Sequence, residues 1–218
     1  MKNLKQIALV AFAIFSTQFY AQTKTGAVTY EMSMPDNAEL SAMGTNTIKV
    51  SFSEKSTATQ MDMMGGMISI KTITPDKSNA TDTRMLMDMM GKKYEVTGGS
   101  QGFGNSDIAS LKDAVSVTYD KKNTKEILGY KCYNATVKMT DGTVSNFYVT
   151  EAITVQTKAD DKIKLSGFPL EIEVNSEKGK IILLATAFDK APTANCFVIP
   201  EGYKKVTQEE LQKELGGM

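Results

Sequence analysis

Methionine is the residue type in this chain whose spacing most invites a chemical reading. MDMMGG begins at Met61 and MDMMGK begins at Met87, so one phrase nearly repeats. A thioether is soft and suits copper(I). It is also flexible and polarisable, and is over-used on surfaces that accept varied apolar partners. In extended chain, residues two apart project side by side. Met61 and Met63 then share a face, as do Met85, Met87 and Met89, while Asp62 and Asp88 point the other way. Three readings follow. The methionines fill an ordinary core, or Met61, Met63, Met85, Met87 and Met89 line an apolar cavity together with Ile68 and Ile70, or Met85, Met87 and Met89 hold copper(I). Core filling alone is strained, because branched residues specify a sheet core better than methionine does.

Other chemistry is scarce. The 218 residues include no histidine. That removes Ser-His-Asp and Cys-His catalysis, histidine zinc sites and type-1 copper sites. Carboxylates pair at Glu171 and Glu173, Asp160 and Asp161, and Glu209 and Glu210, but polar-out alternation already accounts for the first pair. Thr97 opens a glycine-rich stretch without the GK[ST] ending of a phosphate loop. The chain reads as a non-enzyme, and no cofactor is expected. Its 25 basic and 25 acidic residues balance, and Arg84 is the only arginine. Nucleic acid is therefore not an expected partner.

The N-terminus carries an address. Lys2 and Lys5 precede an uncharged apolar run over 7–15, and Ala21 ends a short polar stretch. This is an export-signal layout over residues 1–21, and the run is too short to span a bilayer. The mature protein is expected in the periplasm or secreted, starting near Gln22. In an oxidising compartment Cys132 and Cys196 become a candidate disulfide, with two buried free thiols as the alternative.

Beyond the signal, the dominant period is two. Ile48, Val50 and Phe52 alternate with Lys49 and Ser51; Ile68 and Ile70 alternate with Ser69 and Lys71; Leu170, Ile172 and Val174 alternate with Glu171 and Glu173. Half-buried antiparallel strands read this way. Asp141-Gly142 is a tight-hairpin signal, and MLMDMMGKKYEV reads as a hairpin turning at Gly91. KIILLATAF is apolar on both parities from Ile181 to Phe188, which predicts cover on both faces. Helices are few: TQEELQKEL opens on a capping box, Thr207 with Glu210, and short helices are expected over 36–44 and 106–114.

Three phrases in the second half carry a resemblance. They are Ile127-Leu128-Gly129-Tyr130-Lys131-Cys132, Gly167-Phe168-Pro169-Leu170-Glu171 and Phe197-Val198-Ile199-Pro200-Glu201-Gly202-Tyr203. In this order they resemble the exported bacterial domain-of-unknown-function family 4412 (DUF4412), over roughly 67–205. That family is similar in architecture to the lipoprotein-localisation factors (LolA/LolB-like proteins). The resemblance implies a bent antiparallel sheet with an apolar concave face under a small helical lid, and an apolar ligand. This chain departs in having little helix for a lid and few aromatics in its first half. The central arginine of the true carriers has no counterpart here that would assign their activity to Arg84.

The expected fold is mainly β: a single strongly curved antiparallel sheet, a half-open barrel, with a few short helices. Residues 22–205 form the sheet domain and 206–218 a helical tail. The expected function is binding of a lipid or acyl-chain-like molecule. A methionine copper(I) protein and a ligand-free envelope-assembly module are the alternatives.

Overall fold

The computed structural model describes residues 23–37, 44–77, 79, 82–97, 111, 113–154, 163–176, 179–192 and 194–216. The expected signal lies outside the described residues, and so do most of the short helices expected over 36–44 and 106–114.

Alternation drives nearly everything that is described. Six strands meander in sequence: β1 (Gly26–Ser33), β2 (Asn46–Phe52), β3 (Thr57–Met63), β4 (Ile68–Thr74), β5 (Arg84–Met89) and β6 (Lys92–Thr97). Five more follow: β7 (Ala114–Ile127), β8 (Tyr130–Met139), β9 (Val144–Thr150), β10 (Phe168–Ser176) and β11 (Gly179–Asp189). β11 pairs antiparallel with β1 and joins the two runs into one sheet. A short β12 (Lys204–Thr207) then adds in parallel to β6, ahead of helix α1 (Gln208–Gly216). The sheet has twelve strands in the order β12-β6-β5-β4-β3-β2-β1-β11-β10-β9-β8-β7, with β12 and β7 as its edges. The expected curved, unclosed sheet is what forms.

Its curvature can be read from two rings. β2 and β10 lie three places apart, roughly 14 Å on a flat sheet. Yet the ring centroids of Phe52 and Phe168 are 5.3 Å apart. The sheet therefore curls toward the face that carries Phe52. Bulges at Thr186 on β11, opposite Thr29 and Tyr30 of β1, and at Leu170 on β10 supply local bends.

The turns follow their residues. Met90 (φ 53) and Gly91 (φ 88) make a two-residue turn between Met89 and Lys92, and both central positions have positive φ. That is the type I′ geometry that matches strand twist. Leu128 and Gly129 do the same between β7 and β8. Thr207 and Glu210 form the expected capping box: the Thr207 amide donates to Glu210 Oε2 at 2.7 Å, and the Glu210 amide to Thr207 Oγ1 at 3.2 Å.

The concave face holds two apolar clusters. The larger gathers Val28, Tyr30, Ile48, Phe52, Ala135, Val137, Phe147, Ile172 and Leu183, with Leu111, Ile153 and Leu165 from the connecting segments laid over it. The smaller holds Ile70, Met85, Met87, Tyr94 and Val96, capped by Val206 of β12 and Leu211 of α1. A third cluster lies on the convex face. Ala58, Ile73 and Leu86 are covered there by Phe197, Ile199 and Tyr203 from the β11–β12 connection.

Two expectations need correction. The double apolar parity of KIILLATAF predicts cover on both faces, but Leu184 is 41% exposed. Its cross-strand partners are Glu31 and Glu171, so charged neighbours leave this short apolar ridge facing water. The second correction concerns the cysteines: both are free. Cys132 is buried on β8, and Cys196 sits in the turn Ala194–Phe197, which packs against β3. β3 and β8 are six places apart in the sheet, with five strands between them. A disulfide needs Cα atoms within about 7 Å.

Among the described residues, no helix is long and apolar enough to cross a membrane.

Candidate functional site

Register decides which methionines meet. Tyr30 faces Ile48, Ile48 faces Met61, Met61 faces Ile70, Ile70 faces Met87 and Met87 faces Tyr94. This inner row crosses six strands on the concave face. An outer row runs parallel to it, nearer the hairpin turns. Met63 faces Ile68 and Ile68 faces Met89; on β1, Met32 faces Leu183. Beyond β11, Ile181 faces Val174.

The two rows differ in burial, except that Met61 of the inner row is half-buried and Leu183 beside Met32 is buried. In the inner row Ile70 is 7% exposed and Met87 2%, with Met85 beside them at 6%. These three pack under Val206 and Leu211. In the outer row Met63, Ile68 and Met89 are only half-buried at the rim of the smaller cluster. Met32, Met61, Val174 and Ile181 are half-buried at the rim of the larger one. The seven sequence-derived residues thus share one face but divide by depth. Met85, Met87 and Ile70 are interior packing, while Met61, Met63, Ile68 and Met89 are half-buried.

Sequence reasoning did not single out Met32, Val174 and Ile181 for this rim. Met32 has the parity of Val28 and Tyr30 in an alternating strand, which placed it on the apolar face. Its position beside Leu183 follows only from the pairing of β1 with β11.

The same register bears on metal binding. Methionines of β3 and β5 are not neighbours, because Ile68 and Ile70 of β4 stand between them. Isoleucine offers no donor. Along β5, Met85, Met87 and Met89 recur about every 7 Å, and Leu211 lies against the first two. That arrangement favours apolar filling over a shared ion. Among the described residues, no three histidine, cysteine, aspartate or glutamate side chains come together to hold a metal.

Helix α1 holds its place over the inner row through polar contacts as well. Tyr94 donates to Glu214 Oε2 at 2.7 Å, and Lys204 pairs with the other oxygen of that carboxylate. The Glu214 carboxyl is held below its usual range by Lys204 and then Tyr94. The Tyr94 hydroxyl is correspondingly raised, first by its bond to Glu214.

Outside the third apolar cluster and the Leu184 ridge, the convex face carries paired charges. Lys125 donates to both oxygens of Glu171 at 2.7 and 2.8 Å, and Lys180 pairs with Glu173 at 2.9 Å. Arg84 pairs with the buried Glu95 at 3.5 Å. The carboxylates that could have suggested hydrolysis are therefore engaged with lysines. Gln60 donates to both oxygens of Asp62, and Asp88 accepts from the Gly91 amide at 3.0 Å.

No family model matches the chain. No curated protein matches it either. Several solved structures do, at low identity. An uncharacterised conserved protein from Thermus thermophilus is 9% identical over 92% of this chain and 99% of its own, with a TM-score of 0.48. The Mycobacterium tuberculosis lipoprotein LppX is 7% identical over 79% of this chain and 90% of its own, with a TM-score of 0.40. A LolA superfamily protein from Nitrosomonas europaea is 11% identical over 82% of this chain and 91% of its own, with a TM-score of 0.37.

Proposed function

We propose that this chain is an exported, non-enzymatic binding protein of the family-4412 type. It holds a lipid or acyl-chain-like molecule against the outer row of its concave face. One observation carries the reading: Met32, Met63, Ile68, Met89, Val174 and Ile181 form a half-buried apolar rim on one face of a curved sheet. Large apolar side chains left partly open on a concave surface mark binding grooves. Methionine suits an adaptable groove because it repacks around guests of different shape. The unclosed curl of the sheet and the signal-like N-terminus are in keeping with this role.

The experiment is direct. The chain is expressed with its N-terminus intact, recovered from the periplasm or medium, and examined by native mass spectrometry and by titration with an apolar fluorescent probe. Bound lipid, or saturable probe binding that Met63→Gln with Met89→Gln weakens, supports the reading. A ligand-free mass with no probe binding sinks it and leaves the assembly-module alternative, which predicts a stable protein partner. Recovery of the chain only from cytoplasm, uncleaved before Gln22, removes the export part.

A further inference from the structure

The repeated phrase does something that strand alternation does not explain. Its fourth residue is Met64 in the first copy and Met90 in the second, each followed by glycine. Both methionines have a left-handed backbone, with φ of 54 and 53. That region favours glycine and asparagine, and a long side chain there is uncommon. Both sit at hairpin tips; Met64 is half-buried there, and Met90 is 83% exposed. Met67, the last residue of the first tip, is 49% exposed. Core filling therefore does not account for Met67 and Met90, and neither belongs to the half-buried rim.

The tips are also joined. The Met67 amide donates to the Met64 carbonyl at 3.5 Å, and the Met90 amide donates to the Met67 carbonyl at 2.9 Å. Met64 is held in turn by its own amide, which donates to Asn46 Oδ1 at 3.2 Å. Two backbone hydrogen bonds thus string Met64, Met67 and Met90 together at the end of the sheet. These bonds set the backbone of Met67 beside both Met64 and Met90, and three rotatable bonds give each unbranched side chain a wide reach.

We propose that these tips form a soft-metal site in which the thioethers of Met64, Met67 and Met90 take one copper(I) ion. Three neutral sulfur donors match a soft monovalent cation and offer little to zinc or copper(II), which prefer imidazole, thiolate or oxygen. The nearby carboxylate of Asp88 is already bonded to the Gly91 amide. This site is separate from Met85 and Met87, which stay in the core, and it stands whether or not the concave face carries a ligand.

The test is an anaerobic titration of the purified chain with copper(I) against a chromophoric chelator. One equivalent should bind, with sulfur-only coordination by X-ray absorption. Replacing Met64, Met67 and Met90 together by leucine should weaken binding by about 100-fold or more, since loss of direct ligands exceeds the usual effect of their supporting partners. Met85→Leu with Met87→Leu should leave copper(I) affinity unchanged, and circular dichroism should show both variants folded. The proposal is overturned if the parent binds no copper(I), if the leucine triple binds as the parent does, or if the core pair is the one that loses the ion. Binding of the parent and the leucine triple to lipid vesicles alike, with no copper(I) bound, assigns the tips to a membrane surface and also overturns it.

Discussion

Tyr30 on β1 donates a 2.7 Å hydrogen bond to the carbonyl of Pro169 on β10, across the intervening strand β11. The residue it passes over is Ala185, its partner on β11, whose small side chain leaves room. The contact ties the two runs of the sheet together at their junction, next to the bulges of β11 and β10. Tyr30 is 3% exposed, and burial pushes its hydroxyl far above the ordinary tyrosine range. Tyr30→Phe strands the Pro169 carbonyl, and is expected to destabilise the fold by about 1–3 kcal/mol in urea titration. The neutral hydroxyl's contribution is fully present below pH 10, tyrosine's usual value, and is lost as pH rises above it. The variant should therefore lose less stability than the parent between neutral pH and pH 11.

Helix α1 acts as a cover rather than a loose tail. Leu211 is its one buried side chain among the described residues, and it packs with Met85, Met87, Tyr94 and Val96. A nine-residue helix has little stability of its own. Leu211→Ala should cost about 2–5 kcal/mol, and amide exchange should show the loss concentrated in α1, β12 and β6.

The two cysteines should behave differently. Burial, and then the Glu171 carboxylate, push the Cys132 thiol up to about 11, against an ordinary value of 9.0. At pH 8 only about one Cys132 in a thousand is then the reactive thiolate. Alkylation of the native chain, read by mass spectrometry, should modify Cys196 and spare Cys132, and no intramolecular disulfide should form under mild oxidation. The folded-state value is raised, so the stability gained by burying Cys132 as a thiol is intact below pH 9 and is lost between pH 9 and 11. Cys132→Ala should abolish that step in a pH series of melting temperatures.

Met90 and Leu128 occupy equivalent first positions of two-residue turns, with φ of 53 and 54. Asparagine tolerates this conformation better than either. Leu128→Asn and Met90→Asn should each stabilise the chain by about 0.5–1 kcal/mol in denaturant titration. Only the second should change copper(I) affinity.

Within the rim, depth should separate binding from stability. Met63→Gln with Met89→Gln, both half-buried, should weaken apolar-probe binding several-fold while the melting temperature moves little. Met87→Ala should instead cost about 2–5 kcal/mol, because Met87 is 2% exposed.

Much of this protein is written locally. Alternation of Ile48, Val50 and Phe52 with lysine and serine makes a strand with one apolar face, whatever lies beside it. Glycine at position 91 and the pair Asp141-Gly142 turn the chain because their backbone freedom is intrinsic to those residues. Thr207 and Glu210 cap their helix through contacts only three residues apart. The absence of histidine rules out whole classes of chemistry without any structure.

What tertiary structure decided is what lies next to what. Alternation put Met61, Met63, Met85, Met87 and Met89 on apolar faces, but only the register of β3, β4 and β5 set isoleucines between them. Only the parallel docking of β12 and the fold-back of Leu211 buried Met85 and Met87 and left Met63 and Met89 at the rim. Cys132 and Cys196 were a matched pair as composition, and six places in the sheet separated them. Those outcomes depend on contacts between residues far apart in the chain, and a local pattern of polarity holds no information about which distant strand or helix will supply them.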